Sequence, residues 1–430
     1  MTRLHERTRR QVCRWAFIAL CLVPTSVVLG WSVVRQLPGH VAAEAESLRA
    51  LTGLHAKLGG LSHPLPGQLL YEDVELADPE TGATVLRARV VEITQQAHKL
   101  LVQASQVELT GDGTADVWQL LERHLRRGTV RPTAQIYLST NELTWHGPAG
   151  SQTLSDFTGR IGPTTQGIEA DLKFRLAGHE LVDLAALRIE RKLNDSVPST
   201  HVQFNTGGGR FPARVLAPLI EAESWLGKQA QFDGYLSFEE RGGRWTGDLQ
   251  GHLVGLDLDT LVSQHFTHTL SGSADLTIRK AIVADNHLVE ADGSLRCGRG
   301  MIGRSLWTAG IEHLGMRTTA APAASVTTTP FKQLACSFVL SRRGLQLFGE
   351  CENAPGTVLT ADTGVLWQQP SYDAQPVASL IRTLVPQSEV QVPASHESQW
   401  LIDVLPVPQV VQRMKPGTVP TPHLKLKSDK

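Results

Sequence analysis

The sequence predicts a mainly β protein, built of antiparallel strands with short helices between them, behind one N-terminal transmembrane helix. Three observations predict it. From residue 168 onward, apolar and polar residues alternate with period two in strand after strand. The 38 glycines and 23 prolines, with frequent Val, Leu and Thr, suit a β-rich chain with many turns. Residues 15–34, WAFIALCLVPTSVVLGWSVV, carry no formal charge over twenty positions, the length that crosses a hydrocarbon core of roughly 30 Å as a helix.

Ten of those twenty residues are Leu, Ile, Val or Phe. Together they favour insertion by roughly 3–6 kcal/mol, against a smaller opposing cost from Pro24, Thr25, Ser26 and Ser32. Arg3, Arg7, Arg9, Arg10 and Arg14 precede the segment with one acid, Glu6, and only Arg35 follows closely. The positive-inside rule therefore leaves residues 1–14 as a cytoplasmic tail and exports the rest behind a single-pass anchor. The apolar core is longer than that of a cleavable signal, and the nearest small-x-small site, Ala43-Glu44-Ala45, lies well past it, which favours a retained anchor. Arg9-Arg10 lacks the rest of a twin-arginine signal, and Cys21 follows Leu20 where a lipoprotein site needs a small residue.

The 41 basic and 42 acidic residues balance, so there is no electrostatic footprint for nucleic acid. Beyond the anchor lie Cys297, Cys336 and Cys351. LACSFVLSRRGLQLFGEC reads as a hairpin turning at Arg343-Gly344, with Leu340 opposite Leu347, Phe338 opposite Gly349 and Cys336 opposite Cys351. Directly opposed Cα atoms lie about 4.5–5.5 Å apart, within disulfide range, and a bond closing this fourteen-residue loop would stabilise by about 3 kcal/mol. Two reduced apolar cysteines are the alternative.

In chain order, residues 41–52 form a short helix stopped by Gly53. Two strand-like runs then flank the turn Asp78-Pro79-Glu80-Thr81-Gly82, and a third covers 100–110. In residues 115–127, Val117, Leu120, Leu121, His124 and Leu125 share a helical face that Gly128 ends. The alternating strands follow. Ile168, Ala170, Leu172, Phe174 and Leu176 face one way, as do Phe232, Gly234, Leu236 and Phe238, and then Trp245, Gly247, Leu249, Gly251 and Leu253. The pattern returns in Leu270, Gly272, Ala274, Leu276 and Ile278, and in Val289, Ala291, Gly293, Leu295 and Cys297. Each has one apolar and one polar face, as antiparallel sheets do. Amphipathic helices are expected at 212–226, 257–266, 302–314 and 376–385, in a weak internal repeat. A low-complexity break covers 318–330, and residues 386–430 read as a proline-rich, poorly ordered tail.

The order of features resembles the AsmA-like proteins of bacterial envelopes. It runs from a membrane helix through a short helix ending in Leu51-Thr52-Gly53, then Pro64-Leu65-Pro66-Gly67-Gln68-Leu69 and the 72–82 hairpin, to Gly251-His252-Leu253-Val254-Gly255-Leu256-Asp257-Leu258 and glycine-punctuated strands up to Gly303. The likeness covers residues 41–367. It implies an N-terminal AsmA-like β domain at 41–210, C-terminal AsmA-like β/helix repeats at 211–317, and a last β unit with a helix at 331–385. It also implies an elongated, curled sheet with edge helices and an apolar concave groove, anchored in the inner membrane and reaching into the periplasm, and working in lipid transport or outer-membrane maintenance beside other envelope proteins. About sixteen strands at 4.7–4.9 Å spacing would make a ribbon of roughly 80 Å at most, which fits a short shuttle, a regulator or one part of an assembly.

Lipid-groove candidates are Leu172, Phe174, Phe232, Leu236, Phe238, Trp245, Leu249, Leu253, Leu276, Leu295, Phe338 and Leu340, with Gly234, Gly247, Gly251, Gly272 and Gly293 as groove glycines that remove bulk and let strands bend. Such a floor would hold phospholipid or another amphiphile, each buried CH₂ contributing about 0.8 kcal/mol. The alternative is a scaffold whose glycines let the sheet close an ordinary core. Enzyme-like signals are weak. Gly298-Arg299-Gly300-Met301-Ile302-Gly303 spells G-x-G-x-x-G, but between strands that read antiparallel. His179-Glu180-Leu181-Val182-Asp183 lacks the second histidine of a zinc-protease motif, and His265 and His268 lack a third ligand. The expectation is no catalytic site, cofactor or metal.

Overall fold

The computed structural model describes residues 6–35, 38–79, 81–110, 135–147, 150–177, 183–193, 197–213, 225–227, 229–319, 325–352, 355–370, 373–385, 401 and 404–406. The expected helix at 115–127 and most of that at 212–226 lie outside these residues.

Helix α1 (Glu6–Phe17) continues through a widened turn, Ile18–Leu22, into α2 (Val23–Arg35). The widening has a local cause. Pro24 has no N–H to donate one turn back, so Val23 bonds instead to the Ile18 carbonyl, while Thr25 Oγ1 donates to the Cys21 carbonyl at 2.6 Å. Within it, Arg10–Gly30 has a mean hydropathy of 2.0 and none of it is buried against the rest of the chain; it is long and apolar enough to cross a membrane. Helix α3 (Pro38–Thr52) follows and is capped by Gly53, left-handed at φ 74°, whose N–H bonds to the Arg49 carbonyl at 2.7 Å.

The rest is dominated by one large, curled, open sheet in which chain order is close to strand order. Strands β1 (His55–Lys57) and β2 (Gly60–Ser62) share the outer edge of β3 (Gln68–Ala77), which pairs with β4 (Thr84–Gln96), and β4 with β5 (Lys99–Thr110). The Asp78–Gly82 turn closes as its sequence predicts, with Gly82 N–H bonded to the Asp78 carbonyl at 2.8 Å. β5 then pairs in parallel with β6 (Gln135–Gly147), which corrects the expectation of a purely antiparallel sheet. A parallel pair needs a crossover, and residues 111–134 supply the chain for it. β7 (Gly150–Pro163), β8 (Gly167–Leu176), β9 (Ala185–Lys192) and β10 (Ser199–Asn205) follow antiparallel. β11 (Phe211–Pro212) and β10 share one edge of β12 (Gln231–Arg241), whose other edge takes β13 (Arg244–Asp257).

After one widened turn, Asp259–Ser263, in place of the helix expected at 257–266, the chain enters β14 (Leu270–Ser271) and then β15 (Ser273–Ala284). The alternating run from Leu270 to Ile278 is therefore two strands, not one. Gly272, at φ 138°, is the corner: β14 belongs to a separate three-stranded sheet with β17 (Gly300–Gly303) and β18 (Thr328–Phe331), while β15 returns to the large sheet beside β13 and β16 (His287–Cys297). Helix α4 (Arg304–Leu314) separates β17 from β18. β19 (Gln333–Ser341), β20 (Gly344–Gly349), β21 (Thr357–Ala361) and β22 (Gly364–Gln368) close the large sheet, and α5 (Val377–Leu384) packs against α4. Leu401 and Leu405, from the tail expected to be loose, are buried in the core under these helices.

The 333–351 hairpin turns two residues earlier in register than the sequence suggests. Leu340 faces Leu345, Phe338 faces Leu347 and Cys336 faces Gly349, because Arg342 and Arg343 occupy the turn and Gly344 takes φ 129° as the first strand residue. Cys336 and Cys351 are not opposed, and both are buried free thiols, as is Cys297.

Curl comes from interruptions at matched levels. Asp73, Gln106 and Asp156 adopt φ near 50° in β3, β5 and β7, so inward residues there are three apart rather than two, such as Tyr71 and Val74, Ala104 and Val107, Leu154 and Phe157. Each such bulge bends its strand.

Candidate functional site

Cross-strand register assembles the scattered alternating residues into one apolar face. A single file of directly opposed residues runs Leu69, Ile93, Val102, Leu138, Gly159, Leu172, Leu187, Phe204, Leu236, Leu249, Ala281, Ala291, Leu340 and Leu345, spanning β3 to β20. Its neighbour on the opposite face is polar: Glu92, Gln103, Ser139, Thr158 and Lys173 oppose one another from β4 to β8. That face also carries Glu169 between the guanidinium groups of Arg160 (3.6 Å) and Arg188 (3.1 Å).

The file changes character along its length. Leu69, Ile93, Val102, Leu138, Leu172 and Leu187 are half-buried, whereas Phe204, Leu236, Ala281, Ala291, Leu340 and Leu345 are buried, with Leu249 between the two. The buried half is closed by the chain's own groups. Phe174, Phe204 and Phe211 stack and abut with ring centroids 5.4–6.5 Å apart, over Leu236. Further on, α4 is bound to β22 by two indoles: Trp307 Nε1 donates to the Leu366 carbonyl and Trp367 Nε1 to the Trp307 carbonyl, both at 3.2 Å.

All twelve apolar candidates lie on strands of the large sheet, but in different settings. Leu172 is in the half-buried stretch. Phe174 and Leu236 are in the phenylalanine cluster, with Phe238 and Leu249 at its margin. Phe232 and Leu253 belong to a third cluster with Ala230. Leu276, Leu295, Phe338 and Leu340 belong to the large core under α4 and α5. Trp245 stands apart, opposite Glu240 at the end of the β12–β13 hairpin.

The five glycines are roofed by side chains. A Cβ on Gly234 or Gly251 would lie 2.9 or 2.8 Å from the Phe232 ring, one on Gly247 2.7 Å from Phe238, one on Gly293 3.0 Å from Phe338, and one on Gly272 2.7 Å from Cys297 Sγ. They make room for the protein's own rings, so the floor at those positions is filled.

Polar features of the sheet were not legible from alternation. Arg191 and Glu240 pair at 3.6 Å with side chains only 11% and 12% exposed; Arg191 also donates to Thr200 Oγ1, and Glu240 accepts the Gly243 N–H at 2.7 Å. Thr206 Oγ1 donates to Asp233 at 2.7 Å and accepts the Gly234 N–H at 3.0 Å, tying β10 to β12. Nothing but long-range register could have joined these residues.

The enzyme-like signals disperse. Gly298–Gly303 lies between antiparallel strands, and a Cβ on Gly300 would meet the Ser271 carbonyl at 2.0 Å, so that glycine serves close packing on β14. His179 to Val182 lie outside the described residues. His265 stacks on Trp225 at 3.9 Å, whereas His268 is buried and shares a 3.0 Å hydrogen bond with Ser305 Oγ. Burial holds the His268 imidazole below its usual pKa, against the opposing pull of the Thr383 carbonyl. Among the described residues no group of three or more His, Cys, Asp or Glu is placed to hold a metal ion.

No family model, curated protein or solved structure matches this chain, so the AsmA-like resemblance finds no support beyond the order of features that suggested it.

Proposed function

We propose that this chain is a non-enzymatic, inner-membrane-tethered protein that holds the acyl chains of phospholipid or another amphiphile along the half-buried apolar file from Leu69 to Leu187 across β3–β9. One observation carries the reading: the file from Leu69 to Leu187 is apolar, and its leucine, isoleucine and valine side chains are half-buried between buried residues such as Tyr71 and Ile189 on the same face, while its continuation, Leu249 apart, is buried. At about 4.8 Å per strand, that stretch is about 29 Å wide, close to the thickness of a hydrocarbon core. The β12–β19 face, filled by its own rings, forms the closed end that holds the curl. The anchor keeps the open end near its source of lipid, and the bulk of the chain lies in the periplasm in this reading, beside other envelope proteins. The competing reading is a scaffold with no cargo, favoured by the filled glycines.

The test uses the full-length protein in cells. A benzophenone side chain is placed at Leu138 or Leu172, and at Leu236 or Leu359 as sealed controls. Lipid adducts at the first pair and not the second support the proposal. Adducts at neither pair, with the protein folded and membrane-bound, leave the scaffold.

A further inference from the structure

The anchor-side rim of the sheet carries a small apolar tip that the lipid-holding reading does not use. Leu65 stands 64% exposed between Pro64 and Pro66. Its carbonyl accepts the Gln68 N–H at 3.1 Å, and Gly67 has φ 79°. Pro then Gly at the two central positions with that bond is the arrangement of a type II turn. The tip is thus held out by a rigid turn. Gly67 in turn accepts the Gln95 N–H at 2.9 Å, which places the loop beside the β4–β5 turn with exposed His98 and Lys99.

Chain connectivity keeps this rim near the anchor. Pro38 begins α3 three residues after Arg35, the first charge after the apolar run, so at most about 11 Å of chain separates them. His40, in the first turn of α3, stacks on His63 with ring centroids 5.5 Å apart. From there α3 runs away from the anchor to Thr52, and β1 and β2 return along β3 to His63. Leu65, two residues beyond His63, is therefore on the rim nearest the point where the chain leaves the bilayer, whose polar layer is about 5–8 Å deep on each side.

We infer that Pro64-Leu65-Pro66, with His98 and Lys99 beside it, is a membrane-docking lip that seats Leu65 in the interfacial layer of the leaflet the anchor emerges from. An exposed aliphatic side chain beside a lysine suits an anionic lipid surface, the one entering the interface and the other facing the headgroups. A lone exposed leucine is ordinary on a protein surface; the rigid turn, the adjacent Lys99 and the short chain path to the anchor set this one apart. The inference rests on the anchor spanning the membrane, and not on lipid being held in the sheet.

The test reconstitutes the full-length chain in nanodiscs of phosphatidylcholine and phosphatidylglycerol containing a diazirine-labelled phospholipid, and maps carbene insertion by residue. Residues 63–67 should be labelled at least fivefold above Leu184, an apolar residue 38% exposed on the opposite rim. Leu65→Asp should bring the signal down to that background, with Leu65→Ser as a second variant and Leu65→Phe retaining it, all checked for folding by tryptophan emission. Equal labelling of residues 63–67 and Leu184, or labelling unchanged in Leu65→Asp, overturns the lip. Label at Leu138 or Leu172 reports the sheet face separately, so the two readings fail independently.

Discussion

Phe232 lays its ring over Gly234 on its own strand and over Gly251 on the next, so that a Cβ at either glycine would come within 3 Å of the ring. The glycines and the phenylalanine are one packing unit. Gly234→Ala also drives its methyl to 2.2 Å from the Gln250 carbonyl oxygen, and should cost about 1–3 kcal/mol of overpacking strain. Phe232→Ala, which empties the same space, should cost about 3–5 kcal/mol. Urea denaturation of the purified chain measures both, and a neutral Gly234→Ala would mean the two strands stand further apart than described.

The pair Arg191–Glu240 is enclosed on the apolar side of the sheet, and Arg191 Nε meets no acceptor among the described residues. Removing one partner strands a buried charge, so Glu240→Ala should destabilise by about 3–5 kcal/mol, while Arg191→Met with Glu240→Leu should come close to wild type. A double-mutant cycle in urea reads the difference.

Tyr71 joins α3 to the sheet. Burial first, then the nearby Glu44 carboxylate and its hydrogen bond, push the phenol up from 10 to about 12. A raised folded pKa means that the stabilisation is complete below pH 10 and is lost as pH rises from 10 to about 12. Unfolding measured across that window should show a steeper decline in wild type than in Tyr71→Phe; parallel curves would remove Glu44 and the phenol from each other's reach.

Much of this architecture was legible in the residues themselves. Gly53, the Asp78–Gly82 turn and the strands around Phe174, Leu236 and Leu295 follow from local turn chemistry and period two, which neighbouring residues enforce. The parallel β5–β6 pair, the corner at Gly272 and the two-residue slip that separates Cys336 from Cys351 were not legible. Each depends on which distant strand the chain meets, and a slip of two keeps every side chain on its original face, so alternation cannot detect it. The same limit hid Arg191–Glu240, whose members are forty-nine positions apart in sequence.

Burial pushes the Cys336 thiol up to about 12, with Glu350 and Cys351 adding to the rise, and it also raises Cys297 and Cys351. At pH 8 the folded protein should leave all three unalkylated by iodoacetamide within minutes, and all three should react once unfolded without reductant. A pair that stays unreactive after unfolding would show Cys336 and Cys351 bonded after all.

Since most strands settle against the one made immediately before them, much of the sheet can be laid down by accretion while synthesis continues, each new strand docking on an edge already in place. Among the joins that break that rhythm, β5 must wait through residues 111–134 for β6, β10 must wait through residues 206–230 for β12, and β16 must wait while β17, α4 and β18 are made before β19 arrives. During those pauses a bare hydrogen-bonding edge faces the surroundings, and it is there that a stalled or truncated chain would stick to its neighbours.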